Sequence, residues 1–223
     1  MATEPSFDDL AGDPDAPLGA LTLAIASAFH AVDAEQVQTR LDELGAELAR
    51  DLAARPKLEP ADELRAVGHV LGTVHGFAGD RQRYDDPRNS MLDLVLTRRR
   101  GLPILLSIVY VEVAHRAAVA LSGVGLAGHF VVGHFGVAPP VLADPFAGGA
   151  LLDVPGPIAA VRPWTPAEIA TRVLTNLVAS FQRRGNVGAA IQAAQMRLAL
   201  PAGDAEARDA LEHELRTLRA NLN

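Results

Sequence analysis

The chain has 223 residues, 49% of them hydrophobic, a formal net charge of -7 and no cysteine. A chain of this length and apolar content can bury a substantial core, which excludes a disordered polypeptide. Its acidic balance excludes a generic nucleic-acid binder, which needs a basic face to displace counterions, and the missing thiol excludes disulfides, thiolate metal sites and a cysteine nucleophile.

The opening "MATEPSFDDLAGDPDAP" is acidic and lacks a basic n-region, so residues 1–17 read as a loose tail. No apolar stretch reaches the uncharged length of a membrane span, and the expectation is a soluble, cytoplasmic protein without membrane contact. Helical periodicity begins at Leu18. In "EQVQTRLDELGAELARDLAARP", Val37, Leu41, Leu44, Leu48 and Leu52 recur at steps of three and four until Pro56. A further helix lies in "ADELRAVGHVLGTVHGF", with Leu64, Val67, Leu71 and Val74 as its stripe and glycines that weaken it.

In "GDRQRYDDPRNSMLDLVLTRRRGLP", Asp86-Pro87 favours a turn, and Ser90 is placed as the N-cap of a short helix over roughly 91–100. Arg98, Arg99 and Arg100 then complement its C-terminal dipole, with Gly101 just beyond its end. Pro103 opens the next helix, expected to run to about Leu121. Ser107 shares a side of that helix with Val111, Ala114 and Ala118, while Glu112 is about 140° and Arg116 about 180° away. An inward hydroxyl either bonds to the carbonyl one turn back, that of Pro103, or points into a site; helix geometry alone favours the first.

"VGLAGHFVVGHFG" is β-branched and aromatic and reads as one strand, "VLADPF" as another, with "GVAPP" between them. Alternation puts Ala127, His129, Val131 and Gly133 on one face and Phe130, Val132 and His134 on the other. A hairpin of residues 126–135 with 141–144 brings His129 opposite or diagonal to Asp144. A carboxylate beside an imidazole fixes its tautomer and raises its basicity, so Ser107, His129 and Asp144 outline a nucleophile, a base and an orienting group. The plainer reading of His129 and Asp144 is a satisfied polar pair in the core.

Asn89 is a candidate oxyanion donor, against a turn residue just before the Ser90 cap. The glycines of "PFAGG" read as turn formers that carry the chain under the site. His30, His69, His75, His115 and His213 are read on helices without metal-ligand spacing, and no phosphate-cradling glycine motif occurs, so neither a metal nor a cofactor is expected. From Thr165-Pro166 three more helices follow, joined at Gly185-Asn186 and at residues 201–203, and Trp164 is expected to staple the core to them.

The stretches "YDDPRNSMLDLVLTRRRGLPILLSIVYVEVA", "GVGLAGHFVV" and "ADPFAGG" closely resemble the SirB-type transglutaminase-like proteins, a bacterial family whose pattern reads roughly DPRNS, RRxGIPI(S/T)LS, PGHF and DPFxGG. The resemblance covers at least residues 84–149, and the flanking helices fit the family layout. It implies an α+β fold: a papain- or transglutaminase-like core, with a helix packed on a small antiparallel sheet, N-terminal helices and a tetratricopeptide-like C-terminal helical hairpin. The implied plan is a tail over 1–17, a helical part over 18–80, the core over 81–163 and the tetratricopeptide-like part over 164–223. In active members of the wider superfamily a cysteine on the core helix pairs with His and Asp on neighbouring strands. Carried over, the cysteine position falls on Ser107, the histidine on His129 and the aspartate on Asp144; the SirB-type proteins commonly have Ser at the first.

Two functions are expected from this. One is a domain without the catalytic cysteine that acts as a binding or regulatory module, offering the C-terminal helices to a protein or peptide. The other is a serine-dependent hydrolase or acyl transferase using Ser107, His129 and Asp144, which would need a well-aligned base and an oxyanion hole.

Overall fold

The computed structural model describes residues 5–55, 57–153, 161–201 and 203–220. Within the expected N-terminal tail, Ser6 and Asp9 form a capping box that starts helix α1 (Phe7–Ala11), and Leu10 and Ala11 are buried, so this part is ordered helix rather than loose chain; residues 1–4 lie outside the described residues. Helices α2 (Leu18–Ser27) and α3 (Ala34–Ala53) follow; Asp33 caps α3, which buries Val37, Leu41, Leu44 and Leu48 as its periodicity requires. It ends at Ala53, and the Pro56 expected to end it lies outside the described residues.

Helix α4 (Pro60–Gly68) continues directly into a π-helical segment, His69–Val74. Its glycines weaken helix propensity for a tertiary purpose. A Cβ on Gly68 would lie 2.8 Å from the carbonyl oxygen of Gly149, and one on Gly72 would lie 2.0 Å from that of Gly148. The missing side chains let a distant turn sit on the helix.

Strand β1 (Ala78–Gly79) pairs in parallel with β2 (Arg100–Gly101), and a 3-10 turn, Pro87–Ser90, and helix α5 (Leu92–Arg98) lie between them. The helix is shorter than expected. Its N-cap is Met91, with no side-chain cap bond, and Ser90 belongs to the 3-10 turn. Arg99, at φ 56°, takes the left-handed C-terminal position, which leaves Gly101 free to pair as strand.

Helix α6 (Pro103–Arg116) is buried along nearly its whole length, between α3 and the main sheet. It stops at Arg116, short of Leu121, because Leu121 already belongs to a strand. The expected single strand is instead a hairpin, β3 (Leu121–Leu126) and β4 (His129–His134), turning at Ala127 and Gly128, where Gly128 has φ +75°. Strands β5 (Val141–Asp144) and β6 (Ala150–Leu152) complete an antiparallel sheet in the order β3-β4-β5-β6. Between the last two, "PFAGG" makes the expected turn: a 3-10 segment, Pro145–Ala147, then Gly148 and Gly149 at positive φ.

Helices α7 (Pro166–Arg183), α8 (Val187–Ala199) and α9 (Ala205–Ala220) end the chain. Trp164 does act as a staple. Its amide donates to the Gly123 carbonyl (2.9 Å), its indole occupies the space above Gly125, and it meets Phe130 edge-on at 5.3 Å. Leu44, Val109, Val132 and Leu174 share one apolar core, so the helices before and after the sheet bury against the same centre, and the architecture is α+β.

Candidate functional site

β4 and β5 are in register at Val132–Ala143, which sets Asp144 diagonally across from His129. His129 Nε2 lies 3.0 Å from Asp144 Oδ2, with the imidazole 33% and the carboxylate 14% exposed. The other carboxylate oxygen, Oδ1, accepts from the amide of Phe146 (2.8 Å), so the 3-10 turn that begins at Pro145 holds the aspartate still. Phe146 flanks the pair: its ring is edge-on to His129 at 6.4 Å and fills the space that any side chain on Gly79 would need.

Ser107 makes no hydrogen bond to either of them. It is fully buried, and its hydroxyl has no hydrogen-bond partner among the described residues. The back-bond to the Pro103 carbonyl expected from helix geometry is therefore not made either.

Asn89 is buried and engaged elsewhere. Its side-chain amide donates to the Arg83 carbonyl (2.7 Å), its oxygen accepts from Arg98 Nη1 (2.9 Å), and its backbone carbonyl accepts from the Leu102 amide (3.0 Å). These bonds brace the entry to α6. No hydrogen bond joins Asn89 to Ser107, His129 or Asp144.

The helix residue that the carboxylate does influence is Tyr110, one turn after Ser107. Burial, and then the nearby charge of Asp144, push its phenol well above the usual range, and its hydroxyl has no hydrogen-bond partner among the described residues. A Cβ on Gly149 would lie 3.1 Å from that hydroxyl. Sequence reasoning passed over Tyr110; the available signal was one tyrosine within an otherwise apolar helix run.

Three other histidines are engaged in pairs that the sequence did not reveal. His30 and His75 lie just outside helices, not within them, 2.7 Å from Asp93 and 2.8 Å from Glu47. His134 Nε2 lies 2.7 Å from Glu63, and its Nδ1 accepts from the Gly136 amide, which ties β4 to α4. Among the described residues no cluster of His, Asp and Glu could hold a metal ion, and no helix is long and apolar enough to cross a membrane.

This geometry agrees with what the chain is similar to. The family model described as the transglutaminase-like superfamily matches residues 35–176. The chain is 35% identical over 107 residues to a UPF0162 protein of Xylella fastidiosa (strain 9a5c), covering 48% of this chain and 38% of that protein. It is 32% identical over 92 residues to a UPF0162 protein of Vibrio cholerae, covering 39% and 34%. The chain thus spans little more than a third of the length of these two relatives. With a UPF0162 protein of Pseudomonas aeruginosa it is 30% identical over 227 residues, covering 94% of this chain and 82% of that protein. No solved structure matches the chain. The family match takes in α3, the whole sheet and every residue of the site, and with the near full-length likeness to the Pseudomonas protein it gives the assignment: the chain belongs to the transglutaminase-like superfamily, with UPF0162 proteins as its homologues.

Proposed function

We propose that this chain is a cytoplasmic, non-catalytic member of its family, of the SirB type, which binds a protein or peptide rather than converting it. One observation carries the reading: the hydroxyl that the family pattern puts at the nucleophile position, that of Ser107, is fully buried and has no hydrogen-bond partner among the described residues, His129 included. A serine attacks only when a base in hydrogen-bond contact takes its proton. The α7–α8 hairpin followed by α9 suits a tetratricopeptide-like unit, whose stacked helices offer a face to a partner segment.

The alternative, a serine hydrolase or acyl transferase, draws on the His129–Asp144 pair itself, which has the form of a base and its orienting group. Labelling with a fluorophosphonate probe separates the two. The expected result is no labelling of the folded protein. Labelling that disappears in both Ser107→Ala and His129→Ala, each still folded, would establish the serine enzyme instead. A second test uses the absence of native cysteine: in Ser107→Cys the single thiol should resist alkylation in the native state and react only after unfolding.

A further inference from the structure

One surface cavity, of about 480 Å³, is lined by Gly79, Asp80, Arg81, Arg83, Arg98 and Arg100 together with Gln82. Four guanidinium groups thus surround one carboxylate in a chain whose net charge is -7. That carboxylate is already satisfied. Asp80 accepts from the Arg83 amide (2.9 Å) and from Arg98 Nη2 (3.0 Å), and these contacts, against its burial, hold its carboxyl below the usual range. Arg81, Arg83 and Arg100 have no carboxylate partner among the described residues; Arg100 bonds only to backbone carbonyls. Holding like charges together costs energy, and an oxyanion that accepts from their planar forks removes that cost.

The cavity adjoins the site. The Arg81 guanidinium lies 5.5 Å from the centre of the Phe146 ring, and that ring is edge-on both to His129 and to the half-exposed Tyr84. We propose that this arginine-lined cavity binds the carboxylates of an acidic peptide segment, with Tyr84 and Phe146 as an apolar shelf beside it. The proposal rests on the reading that the chain binds a peptide, and names where and which kind. Several separate arginines suit several side-chain carboxylates on one strand of peptide. A long polyphosphate would extend past the patch, and the net charge of -7 repels a polyanion as a whole more strongly than it repels a short peptide.

The test is fluorescence anisotropy of a short fluorescein-labelled poly-glutamate peptide titrated with the full chain at low salt. Saturable binding is expected, weakened about tenfold or more in Arg81→Glu/Arg83→Glu, which removes charge-assisted hydrogen bonds, and unchanged in Arg208→Glu on α9. Arg81→Gln/Arg83→Gln serves if the reversal fails to fold, as judged by thermal melting. The proposal is overturned by absence of saturable binding, by a loss within about twofold in the paired variant, or by equal loss in Arg208→Glu. It is also overturned if equimolar inorganic phosphate displaces the peptide, or if a single-stranded oligonucleotide of equal charge binds more tightly. Fluorophosphonate labelling is an independent readout: labelling with arginine-dependent peptide binding removes the non-catalytic reading and keeps the cavity, whereas no labelling and no peptide binding removes the cavity alone.

Discussion

The carbonyl oxygen of Gly148 occupies the space beside Gly72, 2.0 Å from where a Cβ on that residue would stand, and the Cα of Gly68 lies 2.5 Å from the corresponding position on Gly149. Helix and turn meet backbone to backbone at these points, so neither side can yield by rotating a side chain. Gly72→Ala and Gly149→Ala should each destabilise the protein by about 2–4 kcal/mol, the second also because its φ of +84° strains any L side chain. Gly76→Ala, at φ +72° with open space around it, should cost only about 1 kcal/mol. Urea denaturation compares the three; equal losses would mean that the turn is not seated on the helix.

Ser107→Ala removes a buried hydroxyl that has no hydrogen-bond partner among the described residues. An unsatisfied buried polar group costs about 1–3 kcal/mol, and the exchange leaves only a small void, so the variant should be more stable by about 1 kcal/mol. A loss of stability measured by the same denaturation would show that the hydroxyl is bonded in solution.

Helix α7 should respond to acid. Glu168 closes a capping box with Thr165, and its carboxyl is held down at about 2, against an ordinary value of 4.5, chiefly by the Arg162 guanidinium and then by the Thr165 amide, burial opposing. A depressed carboxyl stabilises fully above its unfolded value and loses that contribution as pH falls through the folded one. The window therefore runs from about 4.5 down to about 2. Because the side chain is 38% exposed, solvent screening limits the contribution to about 1 kcal/mol. Glu168→Gln should be less stable than the parent at pH 7 by that amount and should converge with it towards pH 2, as read by denaturation at each pH.

Tyr110 is one of two tyrosines. Burial, reinforced by the Asp144 charge, keeps its phenol protonated above the range near 10 in which a free phenol ionises. In a spectrophotometric titration of Tyr84→Phe the remaining tyrosine should ionise only as the protein unfolds in alkali. Ionisation of Tyr110 near pH 10 with the near-ultraviolet circular dichroism intact would contradict its placement.

Much of the fold was legible from local pattern. Val37, Leu41, Leu44 and Leu48 drew the buried stripe of α3, and Thr165 and Pro166 the start of α7. The misreadings fall where two local signals compete. Ser90 has the chemistry of an N-cap, yet the Asp86 turn before it already uses that stretch as 3-10 helix. The strand of "VGLAGHFVVGHFG" holds its own hairpin turn at Ala127-Gly128, which the apolar run conceals. At the site, strand pairing was enough to bring His129 near Asp144, because register is a short-range property of neighbouring strands.

What the sequence determined by itself was therefore the kind of elements, the family motifs and the neighbourhood of an imidazole and a carboxylate. These depend on residues close together along the chain or one strand apart. Only the tertiary structure decided that the Ser107 hydroxyl is buried without a hydrogen bond to that pair, that Tyr110 is the helix residue under the influence of Asp144, and that glycines at 68, 72, 79 and 149 are contact surfaces. Those outcomes depend on how a helix is set against a sheet and a turn, and such distances are fixed by packing between segments far apart in the chain.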